Sequence, residues 1–370
     1  MLQNALERWA ARFDGPPTVV SQAPGRVNLI GEHTDYNEGL VLPAAIDLNV
    51  VLLGREADED DFVSVQVPDS IDYRGPGWRR YAQACRAALE ARGLKPPPIQ
   101  AVVDSNLPGG SGLSSSAALE LAFLACWNQV GGLGLSSFDL AEVAWQAETE
   151  FVGVKVGRMD QMASSMGVEG SALFIDMRTL ESRPCRLPDG VEIVILDTRK
   201  PRALAASKYN ERVEECARAA AAIGVPSLRD ASLEALEGAR LAGLDDVGYR
   251  RARHVVTENG RVIALLDALD ANNRRQIGRL LAESHESLRG DYEVTVPELD
   301  DMVRSARMAP GCIGARMTGA GFGGCCVALI ETGSFQDFKA ATTGSYDMYG
   351  YVKPDIFAVT ASAGASCQWY

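Results

Sequence analysis

The sequence lacks the features that would indicate a zinc-stabilised, membrane-spanning or nucleic-acid-binding protein. It has only three histidines, and its eight cysteines include no C-x-x-C pair, so a structural zinc cluster is not expected. No apolar run approaches the roughly 20 residues that a membrane-spanning helix needs. The net charge is −13 and no run of lysine and arginine stands out. We therefore expect a cytoplasmic protein with reduced cysteines, and neither a membrane nor a nucleic acid as partner.

What is present is enough apolar material for more than one buried core, since 46% of the 370 residues are apolar. Short strand-like and helix-like segments alternate in the first half, whereas the second half carries long helical patterns over residues 209–222, 249–269 and 274–288. There is neither a repeat at a fixed period nor a low-complexity linker. This pattern predicts an α+β protein of two lobes, residues 1–170 and 171–370, with a possible exchange of strands between them.

The segment Ala23–Tyr36, APGRVNLIGEHTDY, is a strand-like stretch followed by a dense group of polar side chains. Glu32, His33 and Asp35 place three hydrogen-bonding groups within four positions. Such a density suits a sugar, whose hydroxyls both donate and accept and are costly to leave unpaired. A solvated turn before the strand that follows Gly39 is the alternative, and for this segment taken alone it is favoured.

The segment Leu107–Ala118, LPGGSGLSSSAA, is a glycine-rich loop that leads into a helix of small residues. Free N–H groups at a helix N-terminus bind anions, and glycines let a phosphate approach the backbone. No lysine follows the glycines, so this is not the G-x-x-x-x-G-K-[ST] loop. A simple capped helix is the alternative, but three glycines and four serines in eight positions exceed what a cap requires.

The segment Arg316–Gly324, RMTGAGFGG, matches the pattern G-x-G-x-x-G. A dinucleotide-binding loop should open a helix, whereas Cys325–Ile330 looks like a strand, so we reject that interpretation. The segment is then either a close approach of the backbone to a substrate or phosphate, or a tight turn between two strands.

These three segments, in this order and at these separations, resemble the signature motifs of the GHMP small-molecule kinases. Gly25–Tyr36 resembles the galactokinase signature of that superfamily without a gap. Further similarity lies at residues 78–81 (WRRY), 157–161 (GRMDQ), 207–210 (SKYN) and 291–294 (DYEV), so the resemblance covers nearly the whole chain. It implies a two-lobed α+β GHMP kinase fold with an active-site cleft between the lobes. The implied activity is ATP-dependent phosphorylation of the anomeric C1 hydroxyl of α-D-galactose.

The resemblance also implies roles for single residues. Asp160 would lie beside the reacting hydroxyl, and Arg26 beside both Asp160 and the γ-phosphate of ATP. The residues that would hold the sugar are Glu32, His33, Asp35 and Tyr209. The loop that would hold the ATP phosphates comprises Gly109, Gly110, Ser111, Gly112, Leu113, Ser114, Ser115 and Ser116.

Two further assignments carry an alternative each. Trp78 would lie near the adenine, but it is equally well explained as a core residue. Ser116 and Glu148 would hold Mg²⁺, although Glu148 shares its helical segment with the acids Glu142 and Glu150 and could simply belong to a solvated face. No partner beyond the sugar and ATP is implied, and we expect a monomer.

The resemblance raises a question about the chemistry of Asp160. A carboxylate beside an arginine is a weak base, and sugar hydroxyls are far weaker acids than a carboxylic acid. In a loose phosphoryl-transfer transition state the nucleophile loses its proton late, and positioning and charge neutralisation dominate. Our hypothesis is that Asp160 orients the hydroxyl and accepts its proton late, while Arg26 stabilises the transferring phosphoryl group.

Two positions depart from the pattern of many galactokinases. Val156 stands where a cysteine is usual, and Arg158 stands where an aliphatic residue is usual. Arg158 would be a long charged group near the sugar pocket, where it either points to solvent or alters which sugar is accepted. Lys155 adds positive charge nearby, which would suit nucleotide phosphates. These departures bear on the identity of the substrate, not on the class of reaction.

Other functions stay open at this point. The first is a kinase for a related sugar, such as N-acetylgalactosamine or L-arabinose. The second is a sensor that binds galactose and ATP without turnover. A sensor would be expected to lose part of the phosphate loop or the acid at position 160, and this chain keeps Ser115, Ser116 and Asp160. Catalysis is therefore favoured.

Overall fold

The computed structural model describes residues 1–67, 77–202 and 205–370, and within these ranges it contains twelve strands and eleven α-helices. The strands are β1 Val19–Asn28, β2 Leu40–Val41, β3 Pro43–Glu56, β4 Asp61–Ser64, β5 Ile99–Ser105, β6 Ser171–Asp176, β7 Ser182–Arg186, β8 Val191–Asp197, β9 Cys312–Met317, β10 Cys325–Glu331, β11 Asp355–Val359 and β12 Ser366–Trp369. The helices are α1 Leu2–Arg12, α2 Arg79–Ala91, α3 Ser115–Val130, α4 Ser137–Gln146, α5 Met159–Met166, α6 Ala205–Ile223, α7 Leu233–Leu241, α8 Asp246–Asp270, α9 Arg274–Ser287, α10 Pro297–Met308 and α11 Phe335–Asp347.

Three sheets organise these elements. The first has the order β12-β1-β3-β5-β4 and is antiparallel except for the parallel pair β4–β5. The second has the order β11-β8-β10-β9 and is antiparallel, and the third is β2-β6-β7. The α+β class expected from the sequence is confirmed. The last strand, β12, pairs with β1 near the start of the chain, with Val19 opposite Trp369.

The first core lies between the first sheet and helix α3, which is buried on nearly all sides. Its sequence from Ala117 to Trp127 is almost wholly apolar, and a helix that is apolar all round must be enclosed all round. Phe123 and Trp127 of α3 pack with Phe62 of β4, with ring centroids 4.9 and 6.2 Å from that of Phe62. Helices α2 and α4 cover the other side of α3. The N-terminus of α3 is thereby held rigidly at one end of the sheet.

The second core lies between the second sheet and helices α6, α8 and α10. Strands β8 and β10 are apolar along their length because both faces are covered, and their buried residues include Val194, Leu196, Cys326 and Ala328. The glycine-rich segment that follows β9 runs directly into β10, with Thr318 N–H donating to the Cys325 carbonyl. It is therefore a turn between two strands. The rejection of the dinucleotide-binding interpretation is confirmed.

In the described ranges no helix is both long and apolar enough to cross a membrane. All eight cysteines lie in those ranges as free thiols, and six of them are buried. They pack as small apolar groups, as the sequence indicated.

The contact between α9 and β9 supplies a test of the packing. A Cβ atom at Gly278 of α9 would lie 2.1 Å from the Ile313 carbonyl oxygen, whereas one at Gly238 of α7 would meet nothing within 4 Å. We expect Gly278→Ala to lower the free energy of unfolding by about 1–3 kcal/mol, because backbone must move. Gly238→Ala should raise it by about 0.5–1 kcal/mol. Urea unfolding of both variants measures this, and equal stabilisation by the two would contradict the packing.

Candidate active site between the two lobes

A bulge in β1 directs Arg26 into the cleft. The pairing of β1 with β3 shifts register between Pro24 and Arg26, which bends the strand. Gly25 sits at this point, where a Cβ atom would lie 2.4 Å from a Leu107 methyl carbon and 2.6 Å from the Leu113 carbonyl oxygen. The missing side chain lets the glycine-rich loop approach, and Arg26 N–H donates to that Leu113 carbonyl at 3.1 Å.

Arg26 and Asp160 form a bidentate ion pair at the centre of the site. Arg26 Nε donates to Asp160 Oδ1 at 2.8 Å and Arg26 Nη2 donates to Oδ2 at 2.7 Å. Arg26 Nη1 donates to the Gly112 carbonyl at 2.6 Å, and the Ser114 hydroxyl donates to Asp160 Oδ2 at 2.5 Å. Strand β1, the loop before α3 and the first turn of α5 therefore meet at one carboxylate. Such forked, charge-assisted pairs fix orientation as well as charge.

This pair lies in a cavity of about 450 Å³, which is within the size range of small-molecule sites. Every residue assigned to the sugar and to catalysis lines it, namely Arg26, Glu32, His33, Asp35, Asp160 and Tyr209. The two residues assigned to Mg²⁺, Ser116 and Glu148, also line it.

Only part of the loop assigned to phosphate lines the cavity. Gly110, Gly112 and the three serines at 114–116 line the cavity, whereas Gly109, Ser111 and Leu113 do not. The Ser111 hydroxyl donates to the Pro108 carbonyl, and Leu113 is buried, so both shape the loop. Contact of this loop with the ATP phosphates stays a prediction. The Ser114 hydroxyl donates to Asp160.

Glu148 projects from an irregular turn at the end of α4. Residues Ala147–Val152 form a π-helical turn, a widening that is frequent at functional sites. Gln161 Nε2 donates to Glu148 Oε2 at 2.6 Å, and the Ser116 hydroxyl lies beside the same carboxylate. Burial, followed by repulsion from Asp160, raises the pKa of Glu148 to about 7. The carboxylate is thus not a member of a solvated face.

Asp35 is the second carboxylate with a strongly altered pKa. Burial raises its pKa to about 7, and repulsion from Asp160 adds to the shift. No basic side chain in the described ranges forms an ion pair with it. Gly157 lies against it, since a Cβ atom there would fall 1.9 Å from Asp35 Oδ2. An acid that faces the cavity without a cation is suited to accept hydrogen bonds from ligand hydroxyls.

His33 is held as a neutral imidazole of one tautomer. Its Nε2 lies 3.2 Å from the Ala320 carbonyl oxygen, which can only accept, so Nε2 carries the hydrogen. Nδ1 then accepts from the Tyr36 hydroxyl at 2.9 Å, and Tyr36 lies 2.7 Å from the Tyr292 hydroxyl. Burial lowers the pKa of His33 to about 3. The ring is therefore a rigid wall of the pocket with both nitrogen atoms occupied.

Glu32 joins the first motif to the third. Its carboxylate pairs with the fully buried Arg316 at 2.8 Å, and it accepts the Gly319 N–H at 2.8 Å. The Asn28 amide donates to it at 3.1 Å. Burial raises the pKa of Glu32, and Arg316 opposes that shift. Glu32 thus fixes the turn after β9 beside the pocket, where Gly319 and Ala320 also line the cavity.

Trp78 lies outside the cavity. Its indole stacks on Phe123 of the first core, with ring centroids 6.4 Å apart at an interplanar angle of 28°. The core interpretation thus has direct support, and contact with adenine stays a prediction.

Arg158 does not enter the sugar pocket either. Its Nε donates to Glu142 at 2.7 Å, and its guanidinium lies over the Trp145 ring at 3.6 Å from the centroid. Both of those residues belong to α4, so Arg158 ties α4 to the start of α5. Of the two departures, Val156 does line the cavity, and so does its neighbour Lys155.

Three functional positions were missed at the level of sequence. Gln161 orients Glu148, Arg316 pairs with Glu32, and Arg202 lines the cavity without an assigned role. Gln161 and Arg316 stood inside segments already singled out, so their position beside the motif residues was the available signal. Nothing in the sequence indicated that Arg202 lies at the site, because it precedes a helix and is far from the three motifs along the chain.

Models of three known families match the chain, and together they span most of it. The galactokinase galactose-binding signature matches residues 7–56, the N-terminal domain of GHMP kinases matches residues 80–168, and their C-terminal domain matches residues 265–341. A mevalonate kinase structure from Methanococcus jannaschii shares the fold, with a TM-score of 0.67 at 18% identity over 95% of this chain and all of that one. The fold and the site define a GHMP kinase.

Full-length relatives identify the family within that class. The galactokinases of Haemophilus influenzae and Chloroflexus aggregans are 38% and 40% identical to this chain over 98% of its length, and the match covers 98% and 96% of theirs. The structure of Lactococcus lactis galactokinase complexed with galactose superposes with a TM-score of 0.92 at 33% identity, covering 99% of both chains. The chain belongs to the galactokinase family.

The raised pKa of Asp35 predicts a pH-dependent gain of stability in Asp35→Asn. The folded protein holds this proton more tightly than the unfolded chain, so ionisation destabilises the native state as pH rises from about 4 to about 7. The ligand-free variant should therefore melt several degrees above the wild type at pH 8 and near it at pH 4. Asp189→Asn is the control, since that side chain is 92% exposed. An equal rise in melting temperature at pH 4 and pH 8 would contradict the raised pKa of Asp35.

Proposed function

We propose that this protein transfers the γ-phosphoryl group of ATP to the C1 hydroxyl of α-D-galactose, giving α-D-galactose 1-phosphate and ADP. One observation carries the proposal: Arg26 and Asp160 form their ion pair between the serine-rich helix N-terminus and the Asp35 side of a single cavity. A phosphate on one side and a sugar on the other would meet at this pair. The Lactococcus lactis relative, which is complexed with galactose, supports the choice of sugar.

The residues of the cavity divide between the two substrates. We assign the sugar to Glu32, His33, Asp35 and Tyr209, which line one side of the pocket. Asp35 and Tyr209 present a carboxyl and a phenol group to it, whereas Glu32 and the His33 ring form its wall. Tyr209, and Asp35 in its protonated form, can donate as well as accept, which matches the two-way hydrogen bonding of sugar hydroxyls. The phosphates would lie against Gly110, Gly112 and the first turn of α3, where N–H groups and the helix dipole favour anions.

The chemistry at the pair follows from its geometry. Asp160 accepts hydrogen bonds from Arg26 and Ser114, so its oxygen atoms are fixed in position before a substrate arrives. An oriented carboxylate holds the attacking hydroxyl in line and takes its proton late, when the bond to phosphorus has formed. The Arg26 guanidinium offsets the negative charge of the transferring group.

Mg²⁺ would bind where Ser116 and Glu148 approach each other. Burial raises the pKa of Glu148, and repulsion from Asp160 adds to that shift; a divalent cation would relieve the repulsion. In the described ranges no group of three or more His, Cys, Asp or Glu side chains could hold a metal. A cation held by two protein ligands, nucleotide phosphates and water fits this arrangement. Bound there, it would neutralise phosphate charge.

Further assignments belong to the same proposal. We propose a monomer, because one chain supplies every residue of the cavity, and a cytoplasmic location, in keeping with eight free thiols. We also propose a first domain ending near residue 170, which the match of the N-terminal family model over residues 80–168 supports. Strand β6 nevertheless returns to pair with β2, so the two units share an edge.

A coupled assay of ADP release with a panel of sugars tests the proposal. We expect turnover with galactose well above that with N-acetylgalactosamine or L-arabinose. If turnover is faster with one of the other sugars, that sugar and not galactose is the substrate. Binding of ATP without turnover on any sugar would identify a sensor and overturn the proposal.

Substitution of the central pair tests the mechanism. Asp160→Asn should lower kcat by about 10³-fold with little change in ATP affinity, because it removes the proton acceptor and the charge partner of Arg26. Arg26→Lys should also be impaired, since it keeps the charge but loses the forked geometry. Ser114→Ala should have a smaller effect, because Arg26 still holds the carboxylate. Steady-state kinetics and nucleotide titration measure all three, and unchanged turnover in Asp160→Asn would remove that residue from the mechanism.

A further inference from the structure

Arg202 lies in the same cavity, between two glycine-rich segments. It follows β8, and the chain just before it is fixed to the turn after β9. Gly324 N–H donates to the Lys200 carbonyl at 3.0 Å, and Thr198 N–H donates to the Gly324 carbonyl at 3.2 Å. The side chain then extends from the second sheet toward the loop before α3.

Two glycines provide the room for this side chain. A Cβ atom at Gly112 would lie 2.4 Å from Arg202 Nη1, and one at Gly324 would lie 3.0 Å from Arg202 Cδ. Both glycines also have positive φ values, of 87° and 80°. The phosphate loop and the turn after β9 are therefore both shaped around the guanidinium of Arg202.

Arg202 has no partner among the residues that the structure describes. Its Nε is buried without a hydrogen bond, and no carboxylate forms an ion pair with it. Arg26 and Arg316, which also lie near the cavity, are compensated, because Arg26 pairs with Asp160 and Arg316 pairs with Glu32. Burial, followed by repulsion from Arg26, lowers the pKa of Arg202, yet an arginine stays charged. An uncompensated cation in such a place is costly unless a ligand supplies the opposite charge.

The identity of that ligand follows from the neighbours of Arg202. A sugar is neutral, so the nucleotide is the anionic substrate, and Gly112 carries both the Arg202 contact and the carbonyl that accepts from Arg26. We propose that Arg202 is a second phosphate-binding arginine, which acts with Arg26 on the terminal phosphoryl group of the nucleotide. This inference rests on the proposed function. It predicts that loss of Arg202 weakens the binding of a nucleoside triphosphate more than that of a diphosphate. A substitution on the sugar side of the cavity would not produce this difference in affinity.

Nucleotide titration of the ligand-free enzyme tests the inference without turnover. The affinities for the Mg²⁺ complexes of AMP-PNP and ADP are measured by calorimetry in the wild type, Arg202→Gln and Arg202→Lys. Arg202→Gln should weaken the affinity for AMP-PNP by about 10- to 100-fold, which is the range expected for loss of a hydrogen bond to a charged group. The affinity for ADP should change by less than about threefold. Arg202→Lys should lie between, because it keeps the charge but not the fork.

Arg199→Gln is the matched control, since Arg199 precedes Arg202 by three positions, is 56% exposed and pairs with Asp355 at 3.6 Å. It should leave both affinities unchanged. Equal weakening of AMP-PNP and ADP in Arg202→Gln, or no change in either, would overturn the inference. If Arg202→Gln does not fold, Arg202→Lys decides: an unchanged preference of that variant for AMP-PNP over ADP would overturn the inference, and a reduced preference would support it. If the wild type prefers AMP-PNP through Arg202 but phosphorylates no sugar, the proposed function fails and the inference stands.

Discussion

The ion pair between Arg26 and Asp160 joins parts of the chain that are far apart in sequence. Arg26 leaves a bulge in β1, Asp160 lies in the first turn of α5, and the loop before α3 contacts both through the Gly112 carbonyl and the Ser114 hydroxyl. A forked pair of this kind has one favourable geometry, so each segment fixes the others. The helix N-terminus, the pocket beneath it and the position of the reacting group all follow from this junction.

Around that junction the protein keeps charged groups that do not stabilise its own fold. Asp35 and Glu148 both have a pKa of about 7, since each is buried and each feels the charge of Asp160. Arg202 is a partly buried cation, with its Nε buried, that has no anion as partner in the described part of the chain. The opposite charges are present but held apart, which is the arrangement expected where substrate and metal complete the electrostatics. These groups lower the stability of the ligand-free fold, and they are already in position to bind a ligand.

The sequence predicted the parts of this site that depend on short spacing. Glu32, His33 and Asp35 lie in one segment, and the glycines and serines of the phosphate loop lie in another, so local chemistry indicated both. What it could not indicate depends on neighbours from elsewhere in the fold. The bond from the Ser114 hydroxyl to Asp160 could not be predicted, because Asp160 belongs to another helix. The sequence also left Arg158 open between solvent and the sugar pocket, because Glu142 and Trp145, which hold it, lie on α4. Strand β12 gave no local signal, since its pairing with β1 spans almost the whole chain.

That last pairing has a consequence for how the protein is made. Strand β1 leaves the ribosome well before β12 and can pair with β3 soon after synthesis, but its other edge is completed only by β12. An unpaired edge readily joins other chains. During synthesis the β1 edge of the first sheet therefore stays unpaired until β12 has been made. A chaperone that covers nascent strands would protect that edge in the meantime.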